Sequence, residues 1–323
     1  MRHPLRAGLV LAALTTAASL VAPAQAAVPS VELQPHQLSR GADIAIPHVD
    51  DGDFVDGTRR VELPGTVAEI LGQDADAWLV ATHRTNKVGE WRSRRVVRVE
   101  ADGTVHEVLR DVDPATLRLS EDGSRLVGPT TSTRRTTVRV WSSVDGAVLA
   151  ERSFSGYPDV VAADARRVLV DTTERLATWR VGADTVRTVT RKLTGQASFE
   201  HDLLTTYTRD PYLGGCTKLV RLSDLGDTVW KSCRDRVAAV SPDGTRMVTF
   251  DILTDGLGPG VIHLREIDGT KLATYSTNWF SGWEWESHDT LLLTVNGEKK
   301  ASVVRCTLGS CENATDPVKV SAP

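Results

Sequence analysis

The chain has 323 residues, with 38 Lys or Arg against 42 Asp or Glu, and 41% of its residues are hydrophobic. This length allows one large all-β domain or two ordinary domains, and the composition excludes a disordered chain. The chain has a net charge of −4 and therefore no excess of basic residues, which proteins need to displace counterions from nucleic acid. We therefore expect no nucleic-acid partner.

Residues 1–26 have the pattern of a signal peptide. Arg2 and Arg6 precede an apolar run from Ala7 to Ala22, and Ala24-Gln25-Ala26 fits a cleavage site. The run is too short, and too diluted by Thr and Ser, for a transmembrane helix of about 20 apolar residues. Cleavage would leave 36 basic residues and a net charge of −6. We therefore expect a secreted, extracellular monomer with no transmembrane segment.

Residues 27–52 are polar, contain Pro and show no apolar period, which predicts a linker or N-terminal extension. From residue 53 to residue 320 the apolar residues alternate or form short runs between Gly and Asp turns, as in Thr137-Val138-Arg139-Val140-Trp141. Such segments are typical of strands, and no stretch has an apolar stripe at helical spacing. We predict a single all-β domain over 53–320.

A repeated motif indicates how the strands are arranged. Ser241-Pro242-Asp243-Gly244-Thr245-Arg246 precedes an apolar strand, and Ser120-Glu121-Asp122-Gly123-Ser124-Arg125 does the same upstream. Equivalent turn acids recur 38 to 48 residues apart, at Asp74, Asp122, Asp164, Asp202, Asp243 and Asp289. Each unit contains about four strands in about forty residues, which is the size of a β-propeller blade.

A ring of blades suits these units, because stacking their faces around an axis buries apolar surfaces that one small sheet would expose. We predict six blades of four antiparallel strands, at 65–112, 113–154, 155–193, 194–234, 235–276 and 277–320. Residues 53–63 remain as a hairpin that either pairs with the last blade or begins a seventh. Two tandem β-sandwiches are the alternative fold.

The turn Ser241–Arg246, together with Val140-Trp141, resembles the WD-repeat and TolB-like β-propeller superfamily over residues 65–320. The Trp-Asp dipeptide of regular WD repeats is missing, since Trp141 precedes Ser142 and Trp179 precedes Arg180. The resemblance therefore implies the fold and not the hydrogen-bond tetrad of those repeats. Such propellers are most often docking platforms and sometimes enzymes, so fold alone does not give the function.

Four cysteines support export. They fall into two pairs that are close in sequence, Cys216 with Cys233 and Cys306 with Cys311. A hairpin of residues 218–222 and 228–232 would bring the first pair together, and a four-residue turn would bring the second together. We predict two disulfides. A zinc site is the alternative, but it requires tighter ligand spacing than these pairs have.

Motifs for catalysis and cofactor binding are absent from the sequence. It contains no Gly-x-Ser-x-Gly elbow, no phosphate-binding glycine loop and no His-Glu-x-x-His. Acidic residues between Asp50 and Asp56 suit either a strand turn or calcium, and the EF-hand pattern is not met. We predict no catalytic residue, no cofactor and no metal site.

The richest aromatic segment contains Trp279, Trp283 and Trp285. These residues are candidate ligand contacts, since exposed Trp rings stack on sugars or anchor partners. The alternative is that they fill the wedge between blades, because Trp283 and Trp285 would share one strand face. Glu284 and Glu286 would then share the other face, about 7 Å apart, a separation that suits some glycosidic chemistry.

Two functions follow from these observations. The first is a secreted, non-catalytic binding or scaffold protein that presents propeller loops to a protein or a cell-envelope glycan. The alternative is an extracellular hydrolase or lyase that acts on polysaccharide in the central channel. Burial of the three tryptophans would count against the enzyme, and a cluster of His and carboxylates with shifted pKa values near the axis would favour it.

Overall fold

A computed structural model describes residues 27–131 and 136–320. Within these ranges the protein is all-β and forms seven sheets arranged as a seven-bladed β-propeller. From the second to the sixth of these sheets in chain order, the first strands of neighbouring blades contact each other, which places them around the central axis. No helix in the described ranges is long and apolar enough to cross a membrane. The signal-peptide prediction for 1–26 lies outside the described residues.

The blades follow one another along the chain. Blade 1 contains β2 (His48–Asp50), β3 (Asp53–Asp56) and β4 (Arg59–Val61); a short strand β1 (Ser30–Glu32) precedes it. Blade 2 contains β5 (Val67–Asp74), β6 (Ala77–Thr85), β7 (Trp91–Val99) and β8 (Val105–Arg110). Blade 3 contains β9 (Arg118–Leu119), β10 (Arg125–Thr131), β11 (Thr136–Ser142) and β12 (Val148–Phe154). Blade 4 contains β13 (Asp159–Ala163), β14 (Arg167–Asp171), β15 (Leu176–Arg180) and β16 (Thr185–Thr190).

The remaining three blades have the same plan. Blade 5 contains β17 (Thr194–Ser198), β18 (Leu203–Tyr207), β19 (Thr217–Arg221) and β20 (Thr228–Ser232). Blade 6 contains β21 (Asp235–Val240), β22 (Arg246–Asp251), β23 (Val261–Glu266) and β24 (Lys271–Ser276). Blade 7 contains β25 (Trp279–Trp285), β26 (Thr290–Asn296), β27 (Lys300–Thr307), β28 (Ser310–Asn313) and β29 (Val318–Lys319). Consecutive strands of each blade pair antiparallel, as predicted, except that β29 pairs with β27 instead of β28.

The repeated Ser-x-Asp-Gly motif forms the turn between the first and second strands of a blade. Ser241 Oγ donates to Asp243 Oδ1 at 2.6 Å and accepts from the backbone N–H of Arg246 at 2.9 Å. The Ser241 hydroxyl and nearby backbone N–H groups stabilise the carboxylate and lower the pKa of Asp243 to about 2. Gly244 has a φ of +71°, a backbone conformation that other residues rarely adopt. The motif is therefore a structural turn.

Six blades were predicted, and that number is wrong. Residues 48–61 form a sheet of their own, so the alternative of a seventh blade is the correct one. Phe54 is fully buried and packs with Val80, Val97 and Val99 of blade 2. The forty-residue repeat does not reveal this blade, because its three strands occupy only 14 residues. The blade also begins at His48, five residues before the boundary predicted from the sequence.

In the described part of the chain, blade 1 has no inner strand. Its first turn lies beside the start of β5, where a Cβ on Gly52 would be 3.6 Å from the Thr66 carbonyl oxygen. At its other end Arg59 donates to the carbonyl of Glu100, in the turn between β7 and β8. β2 therefore runs opposite to β5 and corresponds to the second strand of a complete blade. The place of the first strand is left without a strand.

The predicted linker is a strap across blade 7, which we define as residues 30–46. β1 pairs parallel with β24 of blade 6, and Leu33 is fully buried in the core that blades 6 and 7 share. The side-chain amide of Asn313 donates to the carbonyls of Pro35 and Leu38, both at 2.9 Å. The backbone N–H of Ala45 donates to Glu286 Oε1 at 2.8 Å. The strap thus connects the last two blades to blade 1 and closes the ring.

Candidate functional site

The three candidate tryptophans lie in β25, the inner strand of blade 7. Trp283 and Trp285 are partly buried and pack on the core shared by blades 6 and 7. The ring of Trp283 is 5.4 Å from that of Phe250. Trp279 is also half-buried. This packing agrees with the interpretation that the residues fill the wedge between blades, although Trp283 also lines a cavity near the axis.

That cavity occupies the place of the missing inner strand of blade 1, and we call it the axial gap. It has a volume of about 450 Å³ between β2, β5 and β25. Its polar lining includes His48, Glu69 and Glu284, and Trp283 forms part of its apolar wall. Burial raises the pKa of Glu284, and the nearby His48 partly opposes this shift. The gap could therefore hold a ligand or a proton-donating carboxyl group.

Glu284 and Glu286 do not form the carboxylate pair that the sequence suggested. Glu286 lies in the turn after β25, where the Arg305 guanidinium donates to it and holds the pKa of its carboxyl below the usual value. This carboxylate also accepts the backbone N–H of Ala45. It is a structural contact of the strap, so of these two residues only Glu284 faces the axial gap. In the described parts of the chain, no group of three or more His, Cys, Asp or Glu could hold a metal ion.

The two faces of the propeller differ in their connections. One face, the turn face, carries the short turns that join first to second and third to fourth strands. The other, the loop face, carries the links between blades and the longer loops between second and third strands, such as 208–216 and 252–260. Large apolar side chains are exposed on four connections of the loop face, in blades 5 and 6 and in the links on both sides of blade 4. We call the following set the apolar arc: Tyr157, Leu193, Tyr212, Leu213, Leu253 and Leu257.

The loop 208–216 holds two members of the arc rigidly. Asp210 Oδ1 accepts from the backbone N–H of Tyr212 at 2.8 Å and caps a 3₁₀ turn over Pro211–Leu213. Gly214 ends this turn with a φ of +80°. Tyr212 and Leu213 are nevertheless 67% and 69% exposed. Apolar side chains held rigidly in water are typical of interaction sites, because little conformational entropy remains to be lost on binding.

A groove continues the arc toward blade 4. It has a volume of about 510 Å³ and is lined by Tyr157 and Leu193 together with Asp171 and Arg175. Tyr157 is 85% exposed. Burial raises the pKa of Asp171, although the Thr194 hydroxyl donates to its carboxylate. The apolar arc was not predicted from the sequence, because its members lie in separate connections that share no sequence pattern. The sequence signal that could have indicated this surface is the run Pro211-Tyr212-Leu213, shortly before Cys216.

Both disulfides are present, Cys216–Cys233 and Cys306–Cys311. The first ties the end of the loop 208–216 to the link between blades 5 and 6, so it supports the apolar arc. Its hairpin pairs Leu219 with Trp230, one residue away from the pairing of Val220 with Trp230 that the sequence predicted, and a bulge after Leu219 then shifts the register by one more residue. The second bond joins directly opposed residues of β27 and β28.

Neither a protein-family model nor a curated protein matches this sequence. Solved structures do. One of them is the β-propeller domain of the Trilobed protease from Pyrococcus furiosus, which is 10% identical to this chain with a TM-score of 0.59. The match covers 82% of this chain and 86% of that domain. That domain is described as having an open Velcro topology.

Two further structures are similar to this chain. The acylaminoacyl peptidase of Pyrococcus horikoshii is 11% identical to this chain, with a TM-score of 0.58. The match covers 82% of this chain and 47% of the peptidase, so this chain spans about half of that enzyme. Hsv2p of Kluyveromyces lactis has 12% identity, 73% coverage of each chain and a TM-score of 0.48. At these identities the similarities show a β-propeller fold and nothing about activity.

Proposed function

We propose that the protein is an exported, non-catalytic binding protein of the WD-repeat and TolB-like kind, which docks a protein of the cell envelope onto its loop face. The observation that carries this proposal is the apolar arc. Its members come from four connections on one face, and the hydroxyl of Tyr212 reaches Asp255 in the 252–260 loop at 3.4 Å. Surfaces of this kind are typical of protein interfaces, where exposed aromatic side chains provide most of the binding energy.

Export is part of the proposal. It rests on the signal-peptide pattern of residues 1–26 and on the two disulfides, since such bonds persist in oxidising compartments. We further propose that the protein acts as a monomer and that nucleic acid is not its partner, in line with its net charge of −4.

The docking proposal predicts the outcome of a crosslinking experiment on the intact cell envelope. A variant with Tyr157→Ser, Tyr212→Ser and Leu213→Ser should recover its partner at least about tenfold less efficiently, because interface anchors contribute more than about 1 kcal/mol each. All three side chains are exposed, so thermal unfolding should change little. The measurement is mass-spectrometric quantification of each crosslinked protein against wild type.

A matched control carries Val144→Ser, Val148→Ser and Leu149→Ser, three exposed apolar residues of the hairpin in blade 3, on the other side of the molecule. This control should recover the partner as wild type does. The proposal fails if the loop-face variant and the control recover the same proteins equally. It also fails if wild type recovers no protein and is instead retained on cell-envelope glycan.

One observation favours the second candidate, a hydrolase or lyase that acts on polysaccharide. Glu284 lies in the axial gap beside Trp283, where burial raises the pKa of its carboxyl, and a raised pKa favours the role of a general acid. If this function is correct, wild type should release reducing ends from envelope polysaccharide and Glu284→Gln should lose at least about a hundredfold in rate. The exposed Glu62→Gln should retain activity. Absence of release by wild type rejects the enzyme.

A further inference from the structure

A second surface, on the turn face between blades 3 and 4, has an unusual charge. A groove of about 750 Å³ there is lined by four arginines and only two acids. The arginines are Arg125, Arg166, Arg167 and Arg180, and the acids are Asp122 and Asp164. The groove is positive although the whole chain has a net charge of −4. We call it the arginine groove.

The two acids of the arginine groove are already occupied by neighbours. Asp164 accepts the backbone N–H groups of Arg166 and Arg167 at 2.8 and 2.7 Å, and it pairs with the Arg167 guanidinium at 2.6 Å. Asp122 accepts the Ser124 hydroxyl at 2.6 Å. Hydrogen bonds from Ser124 and Ser120 lower the pKa of Asp122 despite its partial burial. Of the two, only Asp164 forms an ion pair with an arginine of the groove, and four arginines against two carboxylates leave a net charge of +2.

The remaining arginines have no such partner. Among the residues that the structure describes, no carboxylate lies within 4.0 Å of the guanidinium groups of Arg125, Arg166 or Arg180. Arg166 and Arg180 are exposed, and Gly182 and Ala183 complete the lining beside them. Three guanidinium groups are thus free to donate to an anion.

The strand register adds an energetic argument. Arg167 lies directly opposite Arg180 on the neighbouring strand, so both side chains lie on the same face of blade 4. Like charges in directly opposed positions destabilise a sheet, and the ion pair of Arg167 with Asp164 offsets only part of this repulsion. The Arg167 guanidinium is also held 4.0 Å from the centre of the Phe199 ring. Arg167 and Arg180 line an adjoining groove as well, of about 460 Å³, which contains Arg187. An anion between these groups would remove the repulsion.

We propose that the arginine groove binds a multivalent oxyanion, a ligand with two or more phosphate or sulfate groups. Guanidinium groups donate two parallel hydrogen bonds to such groups, and several together match a ligand of several negative charges better than a single carboxylate. The proposal does not rest on the loop-face function, because the groove lies on the other face of the ring. It adds a second binding site to the protein.

Calorimetric titration of the whole protein with tripolyphosphate tests the proposal. Wild type should bind, and Arg166→Gln with Arg180→Gln should weaken binding at least about tenfold, because two charged donors are lost. A control with Arg110→Gln and Lys231→Gln makes the same charge change at two exposed sites in blades 2 and 5 and should bind as wild type. Without anion, the groove variant should melt at the same temperature as wild type or higher, since it loses a like-charge pair.

A parallel titration with long-chain polyphosphate identifies the source of the anion. If both ligands bind, and their binding depends on Arg166 and Arg180, the natural ligand is a small molecule. If only the long chain binds, with the same dependence on these arginines, the natural ligand is a charged polymer. The proposal is overturned if wild type binds neither ligand. It is equally overturned if the groove variant binds as tightly as the control.

Discussion

Arg305→Ala should lower the free energy of unfolding by about 3–5 kcal/mol, because it leaves a buried carboxylate without its partner. The side chain of Glu286 is only 8% exposed and that of Arg305 14% exposed. The same guanidinium donates to the carbonyls of Ala42 and Asp43 at 2.8 and 2.7 Å. One substitution therefore breaks both the buried ion pair and the attachment of the strap to blade 7. Denaturant unfolding at pH 7 measures the loss.

Arg139→Ala is the matched control, since Arg139 pairs with Glu151 on the surface of blade 3. Exposed pairs of this kind contribute less than about 1 kcal/mol. A loss of that size for Arg305→Ala would mean that the strap does not depend on this contact.

The pH dependence of the Arg305 effect has a definite sign. Hydrogen bonding from Arg305 lowers the pKa of Glu286 in the folded protein. A lowered pKa contributes stability above the unfolded pKa of about 4.3, and this contribution disappears as the pH falls through the folded pKa. The difference between wild type and Arg305→Ala should therefore be complete above about pH 5 and shrink in more acidic solution. A difference that grows on acidification would contradict this assignment.

Phe54→Ala should cost about 3–5 kcal/mol, the usual loss when a buried Phe is truncated. Phe54 is fully buried, and its ring is 6.3 Å from that of Trp78 in blade 2. Blade 1 has only three short strands, so this side chain is its main contact with the neighbouring core. Val67→Ala, at a position 43% exposed, should change stability by less than about 0.5 kcal/mol.

The same denaturant titrations distinguish two outcomes for Phe54→Ala. A large loss in one cooperative transition means that blade 1 is part of the ring that unfolds as a unit. A loss no larger than that of Val67→Ala would mean that residues 48–61 do not pack as described.

Local features were predictable because they depend on residues close in sequence. The turn Ser241–Arg246 needs only its own side chains and one glycine with positive φ. Cys216 and Cys233 are joined because a single hairpin places them together. The packing of Trp283 and Trp285 followed from the alternation of one strand. The axial gap was not predictable, since it exists only because blade 1 lacks a strand.

The amino-acid pattern alone determined the class of fold, the forty-residue unit and the disulfide pairing, all of which follow from short-range periodicity and turn chemistry. The number of blades, the strap, the apolar arc and the arginine groove were decided by closure of the ring. Closure brings Asn313 to Pro35, 278 positions away in the chain, and it places arginines of two blades around one groove. No local pattern encodes such contacts, because they depend on how many units fit around the axis.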